Sequence, residues 1–248
     1  MIRAIFFDLD DTLCNCIDAS VESRHAAFAA AAEKYDWFDA DRFLQVWREQ
    51  FEAFLPEVRH GGAWRERYLT NASSTRTEAM RRALHRHGTP LSTEDSEALA
   101  QWLSDEYLHG RVARMHLYPD AIAVLERLAS QFPLGLITNG PADSQRQEIE
   151  VLGVGKYFHS VFIDGEFGFG KPDPSIFLAA ASSVGAEPTE VCFIGDSLVH
   201  DVRGARKVGM TTCWMLSHDA GDPAEADFLT DSLPAFAEGV ERQAAEPG

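Results

Sequence analysis

Several acidic and hydroxyl residues fall where short apolar runs end. Asp8-Leu9-Asp10 follow Ile2–Phe7, Thr138-Asn139 follow Leu134–Ile137, Asp164 and Glu166 follow Val161–Ile163, and Asp196 follows Val191–Gly195 with Asp201 five residues later. Two carboxylates two residues apart, as in Asp8 and Asp10, can divide labour: one attacks as a nucleophile while the other moves protons. Carboxylates gathered from several run ends repel one another. A hard cation resolves that repulsion, and an oxygen-only ligand set suits Mg²⁺, which keeps several waters and shares a phosphate. Any one of these residues alone is better read as a helix cap. Asp196 is a good metal ligand. Asp201 has three roles open to it: reaching the metal through water, orienting a lysine, or placing a favourable charge in a helix first turn.

Thr138-Asn139-Gly140-Pro141 offers a hydroxyl and backbone N–H groups ahead of a helix, an anion seat if the turn is more than a connection. Lys171 is one of four lysines and lies in Gly168-Phe169-Gly170-Lys171-Pro172-Asp173-Pro174. Asp173 reads as a helix N-cap and Pro174 as the first helical residue, so Lys171 is fixed just outside a helix start. There it can neutralise a phosphate or stand as a solvated loop charge. Gly165 to Lys171 also fits GxxxxGK, but Pro172 follows where a phosphate-cradling loop needs Ser or Thr for its metal, which argues against a nucleoside triphosphatase. Cys14 and Cys16 lack a distant partner pair and read as free thiols. Asp11-Thr12 reads as structural, and Arg81-Arg82 through His87 as a solvated helix face.

The elements that must position these residues show two textures. Apolar runs at Ile2–Phe7, Leu134–Ile137, Val161–Ile163, Val191–Gly195 and Thr211–Leu216 alternate with helical patterns at Ala121–Ala129, Asp143–Leu152, Ser175–Val184 and His200–Val208. Continuous apolar strands alternating with helices predict an α/β fold with a doubly wound parallel sheet, whose ligands bind beyond the carboxyl ends of the strands. Ala226–Leu229 reads as a last edge strand, and Gln243–Gly248 as a loose end. Residues 16–116 are helical throughout, with Phe43, Val46, Trp47, Phe51 and Phe54 at the spacing of one apolar face. They predict an all-helical domain inserted after the first strand, leaving 1–15 and 117–248 for the sheet domain. Gly61-Gly62-Ala63-Trp64 reads as a loop or turn within the insert.

The net charge of the 248-residue chain is −17. That argues against nucleic-acid polymer or anionic membrane as partner. It also makes an anionic substrate a problem that a metal or a lysine must solve locally. The insert carries 13 basic and 16 acidic residues and six of the nine histidines, so it is the better place to meet an anion. No apolar run reaches the length of a membrane span, the start reads as no signal peptide, and four cysteines fit a reduced, cytoplasmic setting.

Taken together, Phe7-Asp8-Leu9-Asp10-Asp11-Thr12-Leu13, Ile137-Thr138-Asn139-Gly140, Lys171-Pro172-Asp173-Pro174, and Gly195-Asp196-Ser197 with Asp201 resemble the four motifs of the haloacid dehalogenase superfamily, in order. The insert resembles that family's helical cap, which sets substrate choice. The Asp-Asp-Thr form at 10–12 and the run from Thr138 through Gln145 are similar to the branch holding pyrimidine 5′-nucleotidases and N-acylneuraminate-9-phosphatases. The resemblance implies a Rossmann-like core and a Mg²⁺-dependent phosphatase acting on a small phosphorylated metabolite, a nucleotide or a sugar phosphate. It implies that Asp8 becomes an aspartyl phosphate, that Asp10 protonates the leaving oxygen and then activates water, and that Thr138 and Asn139 hold the phosphoryl group while Lys171 balances its charge. Mg²⁺ then rests on the Asp8 carboxylate, the Asp10 backbone carbonyl and Asp196, with Asp201 in support. Dehalogenases and phosphonatases of this fold lack the acid at Asp10. Phosphomutases keep it, and a mutase is the alternative. A non-catalytic binding protein is a third reading, whose mark is substitution of Asp8, Asp10, Lys171 or Asp196; none is substituted.

Overall fold

A computed structural model describes residues 1–59, 62–216 and 221–245. Six strands form one parallel sheet: β1 (Ala4–Phe7), β2 (Leu134–Thr138), β3 (Ser160–Ile163), β4 (Val191–Gly195), β5 (Thr211–Met215) and β6 (Phe228–Thr230). Their order is β3-β2-β1-β4-β5-β6, so the winding reverses between β1 and β4. In register, Phe7 of β1 lies between Leu136 of β2 and Ile194 of β4. This reversal is where an open α/β sheet leaves a crevice beyond its strand ends.

The central strands are buried on both faces, as their unbroken apolar runs require. On one face Phe177 meets Phe193 edge-on at 5.3 Å between ring centroids. On the other, Phe7 packs against Phe158 and Phe236. Gly135 is required where it stands, because a Cβ there would lie 2.0 Å from the ring of its register neighbour Phe6.

The chain divides into two compact units, Met1–Asn15 with His116–Gly248 and Cys16–Met115. The second unit is helical: α1 (Cys16–Lys34), α2 (Ala40–Arg59), α3 (Ala63–Thr70), α4 (Ala72–His87) and α5 (Thr93–Arg114). Phe28, Phe38, Phe43, Leu84, Leu99 and Leu103 form its core. The expected face of α2 is turned inward, with Phe43 and Phe54 buried and Val46, Trp47 and Phe51 half-buried against them. Asn71 and Ser92 cap α4 and α5 by accepting backbone N–H bonds. Arg81 and Arg82 are tied to Glu78, and Arg82 also to Glu57, so these two form an ion-paired helix face, whereas His87, expected on a solvated face, is buried. Of the expected loop at 61–64, Gly61 lies outside the described residues, and Ala63 and Trp64 open α3.

In the sheet unit the connecting helices are α6 (Ala121–Ala129), α7 (Ala142–Leu152), α8 (Asp164–Phe167), α9 (Pro174–Ser183), α10 (Arg203–Lys207) and α11 (Leu233–Ala245). The expected loose end differs in part: Gln243–Ala245 complete α11, and 246–248 lie outside the described residues. The two points where the helical unit leaves and rejoins this unit are stitched together. Asn15 N–H donates to the His116 carbonyl at 3.2 Å, His116 N–H to Asn15 Oδ1 at 2.7 Å, and Tyr118 N–H to the Leu13 carbonyl at 2.9 Å. Among the described residues no helix is long and apolar enough to cross a membrane.

Candidate active site

Asp8 follows β1 directly, and its N–H donates to the Ile194 carbonyl at 2.9 Å, carrying the ladder with β4 one residue further. The chain then turns. Leu9 N–H donates to Asp8 Oδ1 at 2.7 Å, Leu13 N–H to the Leu9 carbonyl at 2.9 Å, and Asp11 takes a left-handed φ of 56°. Asp8 and Asp10 therefore do not lie side by side along one strand. Asp8 is buried, and its Oδ1 lies 2.6 Å from Lys171 Nζ. The same ammonium lies 2.6 Å from Asp201 Oδ1. Burial opposes the charge on Lys171, but Asp201 and Asp8 outweigh it and raise its pKa. Burial is also the largest influence on Asp8. Lys171 counters it, but repulsion from Asp201, Asp196 and Asp10 adds to it, and the Asp8 pKa stands well above the ordinary carboxylate range.

The loop that delivers Lys171 is held by one side chain. Asn139 Oδ1 accepts the Lys171 N–H and Asn139 Nδ2 donates to the Lys171 carbonyl, both at 2.7 Å. His200 Nδ1 lies 3.2 Å from that carbonyl. Gly170 allows the close approach, since a Cβ there would fall 2.6 Å from Asn139 Oδ1. Asp173 caps α9 through the Ser175 N–H at 2.9 Å, with Pro174 at the first helical position. The sequence gives Asn139 to the phosphoryl group; the structure engages both ends of its side chain with the Lys171 backbone.

Asp196 and Asp201 come from the end of β4. The residues Leu198–Val202 form a widened turn in which Val202 N–H reaches back five residues to the Ser197 carbonyl. Such turns often sit at functional sites. Here it folds Asp201 back, so that its Oδ2 accepts the Ser197 N–H at 2.9 Å. The sequence places a helix from His200; the regular helix α10 begins only at Arg203. Gly195 makes the fold-back possible, because a Cβ there would lie 2.3 Å from Asp201 Cγ. One carboxylate oxygen from each of Asp8, Asp196 and Asp201 lies within 4.8 Å of the others. Three oxygen donors this close, crowding a carboxylate already pushed toward its protonated form, fit a hard divalent cation. Glu166 is drawn away into an ion pair with Arg146 at 2.5 Å.

Asp10 is half-buried. Its Oδ2 accepts from Gln145 Nε2 at 3.3 Å, and its Oδ1 is shielded from solvent without a hydrogen-bond partner. Thr138, at the end of β2, donates its hydroxyl to Gln145 Oε1 at 2.8 Å. Gln145 is thus a residue of the site to which sequence reasoning gave no role. It is one polar residue in the polar first half of α7, and no spacing rule marks it.

Residues 2–209 match the haloacid dehalogenase-like hydrolases. The chain belongs to this family. Its relatives include the glyceraldehyde 3-phosphate phosphatase of Methanopyrus kandleri, 32% identical over 213 residues that cover 86% of this chain and 83% of the relative. The N-acylneuraminate-9-phosphatase of Rattus norvegicus is 27% identical over 251 residues, covering 97% of this chain and 95% of the relative. Among solved structures, a 2-haloacid dehalogenase from Pseudomonas syringae pv. Tomato DC3000 superposes with a TM-score of 0.70 at 26% identity, over 98% of this chain and 100% of that one. The doubly wound sheet of this hydrolase is the family's fold, and its relatives of known activity include phosphatases.

Proposed function

We propose that this hydrolase is a Mg²⁺-dependent phosphatase that cleaves a small phosphomonoester, a nucleotide or sugar phosphate, through an aspartyl phosphate on Asp8. The observation that carries this reading is the placement of Asp8: a buried carboxylate with Lys171 at 2.6 Å, Asp196 and Asp201 beside it, and Asp10 two residues on with one unpartnered oxygen. Asp8 attacks phosphorus while the ester oxygen departs with a proton from Asp10. Water then attacks phosphorus, Asp10 takes its proton, and Asp8 is released with inorganic phosphate. Lys171 meets the charge of the phosphoryl oxygens and the backbone N–H of Asn139 donates to them; the Thr138 hydroxyl joins this cradle when its proton turns from Gln145 to the phosphoryl group. The Asp8 carboxylate, the Asp10 backbone carbonyl and Asp196 hold Mg²⁺, with Asp201 in support. When bound, the ion offsets negative charge on the phosphoryl group and on these carboxylates.

Asp10 favours phosphatase over dehalogenase chemistry, since displacement of a halide calls for no proton-donating acid. The two relatives from Methanopyrus kandleri and Rattus norvegicus support this, being phosphatases of phosphorylated small molecules by name. Residues 1–15 and 117–248 form the catalytic domain in this reading, and the helical cap, 16–116, selects the substrate. The four cysteines, none of them in a disulfide, fit a reduced, cytoplasmic setting. The test is phosphate release from a panel of phosphomonoesters, with Mg²⁺ and with chelator, beside Asp8→Asn. Turnover is expected to need both the metal and Asp8, with the Asp8→Asn variant still folded. Asp8→Asn turning over at the wild-type rate removes the proposal.

A further inference from the structure

Gln145 joins two groups that the proposed reaction uses, and it does so in a position fixed by chemistry. Its amide is buried at 4% exposure in the first half of α7. Oε1 accepts the Thr138 hydroxyl at 2.8 Å, while Nε2 faces Asp10 Oδ2 at 3.3 Å and Glu148 Oε2 at 3.4 Å. An ionised carboxylate only accepts hydrogen bonds, so the two carboxylates require the NH₂ end and the oxygen is left for the hydroxyl. The amide cannot flip without facing its oxygen to two acceptors. Gly140 keeps the place open, because a Cβ there would come within 2.9 Å of Nε2.

Building on the phosphatase reading, we propose that Gln145 is the positioning residue for Asp10. By holding Oδ2 it fixes the plane of the Asp10 carboxyl group and so the direction in which the proton is exchanged. In the first step the Asp8–phosphorus bond forms, the phosphorus–ester oxygen bond breaks, and the proton on Asp10 passes to the departing oxygen. In the second, a water oxygen bonds to phosphorus, its proton passes to Asp10, and the bond to Asp8 breaks. A carboxylate free to rotate presents the wrong oxygen or the wrong angle, and misplacement of this order costs about 10- to 100-fold in rate. Gln145 touches no reacting atom; it acts through Asp10.

The test compares two esters in each enzyme. Gln145→Glu keeps the shape and an oxygen for Thr138 but removes both N–H donors; Gln145→Met removes them without adding charge. An alkyl phosphate needs its leaving oxygen protonated, whereas p-nitrophenyl phosphate has a leaving group that departs as the anion. kcat/KM reports the steps through phosphorylation of Asp8. In both variants we expect kcat/KM for the alkyl ester to fall about 10- to 100-fold and that for the aryl ester by less than about 3-fold. The readout is a ratio within one preparation, so loss of folded enzyme cancels. Equal losses on the two esters would overturn the inference and place Gln145 in support of the Thr138 cradle alone; no loss on either would overturn it as well. Wild-type enzyme inactive on both esters removes the phosphatase reading, and this inference falls with it.

Discussion

Replacing Lys171 with Met keeps the aliphatic stem and deletes the ammonium that bridges Asp8 and Asp201. Asp201 is 1% exposed and Asp8 7%, so water cannot take the cation's place without opening the site. At least one carboxylate must then stay buried and unpaired or take up a proton. Protonating a carboxyl group of ordinary pKa at pH 7 costs about 4 kcal/mol, at about 1.36 kcal/mol per pKa unit. Breaking a buried ion pair by removing one partner costs about 3–5 kcal/mol, so both routes agree. The sign of the pH dependence follows. Lys171 is the one influence that lowers the Asp8 pKa, so the folded variant binds more proton than the folded wild type, while the unfolded chains titrate alike. The stability gap therefore shrinks as pH falls, by at most about 1.4 kcal/mol per unit, from about 4 kcal/mol at pH 7 to no less than about 1.2 kcal/mol at pH 5. Urea unfolding of both proteins in chelator at the two pH values measures it. A gap below about 1 kcal/mol at pH 7, or one that does not change with pH, refutes the view that Lys171 is held by buried ionised partners.

Two further predictions concern packing. Gly195→Ala drives a Cβ to 2.3 Å from Asp201 Cγ, so the widened turn must shift. A loss of about 1–3 kcal/mol in urea unfolding is expected, with phosphate release down at least about tenfold as Asp201 leaves Lys171; a variant matching wild type in both would show that the contact yields freely. His87 stacks on Phe38 at 5.5 Å, and burial, with Arg42 adding to it, lowers its pKa. The unfolded chain therefore binds the proton first, and this contribution to stability is lost as pH drops below about 6.5. Thermal unfolding of His87→Phe should lose less stability between pH 7 and pH 5 than wild type; equal losses would show that His87 is not the group responsible.

The strand ends were readable because an apolar run that stops at an acid or a hydroxyl has few other places to be. Asp8, Thr138 and Asp196 all sit at such stops, and the reversal between β1 and β4 places Asp8 and Asp196 at neighbouring strand ends. Asp173-Pro174 was readable because cap chemistry is local. What resisted reading depends on contacts between distant segments. Asn139 holds Lys171 across 32 positions, and neither neighbourhood shows that an amide rather than a strand does the holding. Gln145 and Glu148 are polar and buried on α7, the inverse of the pattern that periodicity detects. Gly135 answers to the ring of Phe6, a demand visible only once β1 and β2 are paired. The turn at Leu198–Val202 replaced an expected regular helix because Asp201 folds back onto the Ser197 N–H.

The stitched seam at Asn15 and His116 carries a consequence for how this chain tolerates change. Because the hydrogen bonds from Asn15, His116 and Tyr118 close the gap on the sheet side, the sheet unit experiences the hundred residues between them as a single loop already tied at its neck. Lengthening a loop is thermodynamically mild, about 0.6 kcal/mol for each doubling. The size and sequence of what hangs from the neck are therefore nearly decoupled from the stability of the sheet, and from the Asp8–Lys171–Asp201 arrangement that the sheet unit builds from its own residues. Such a molecule is permissive to exchange: the hanging module can drift, lengthen or be traded for another in lineages or in the laboratory, while the reactive machinery is inherited intact.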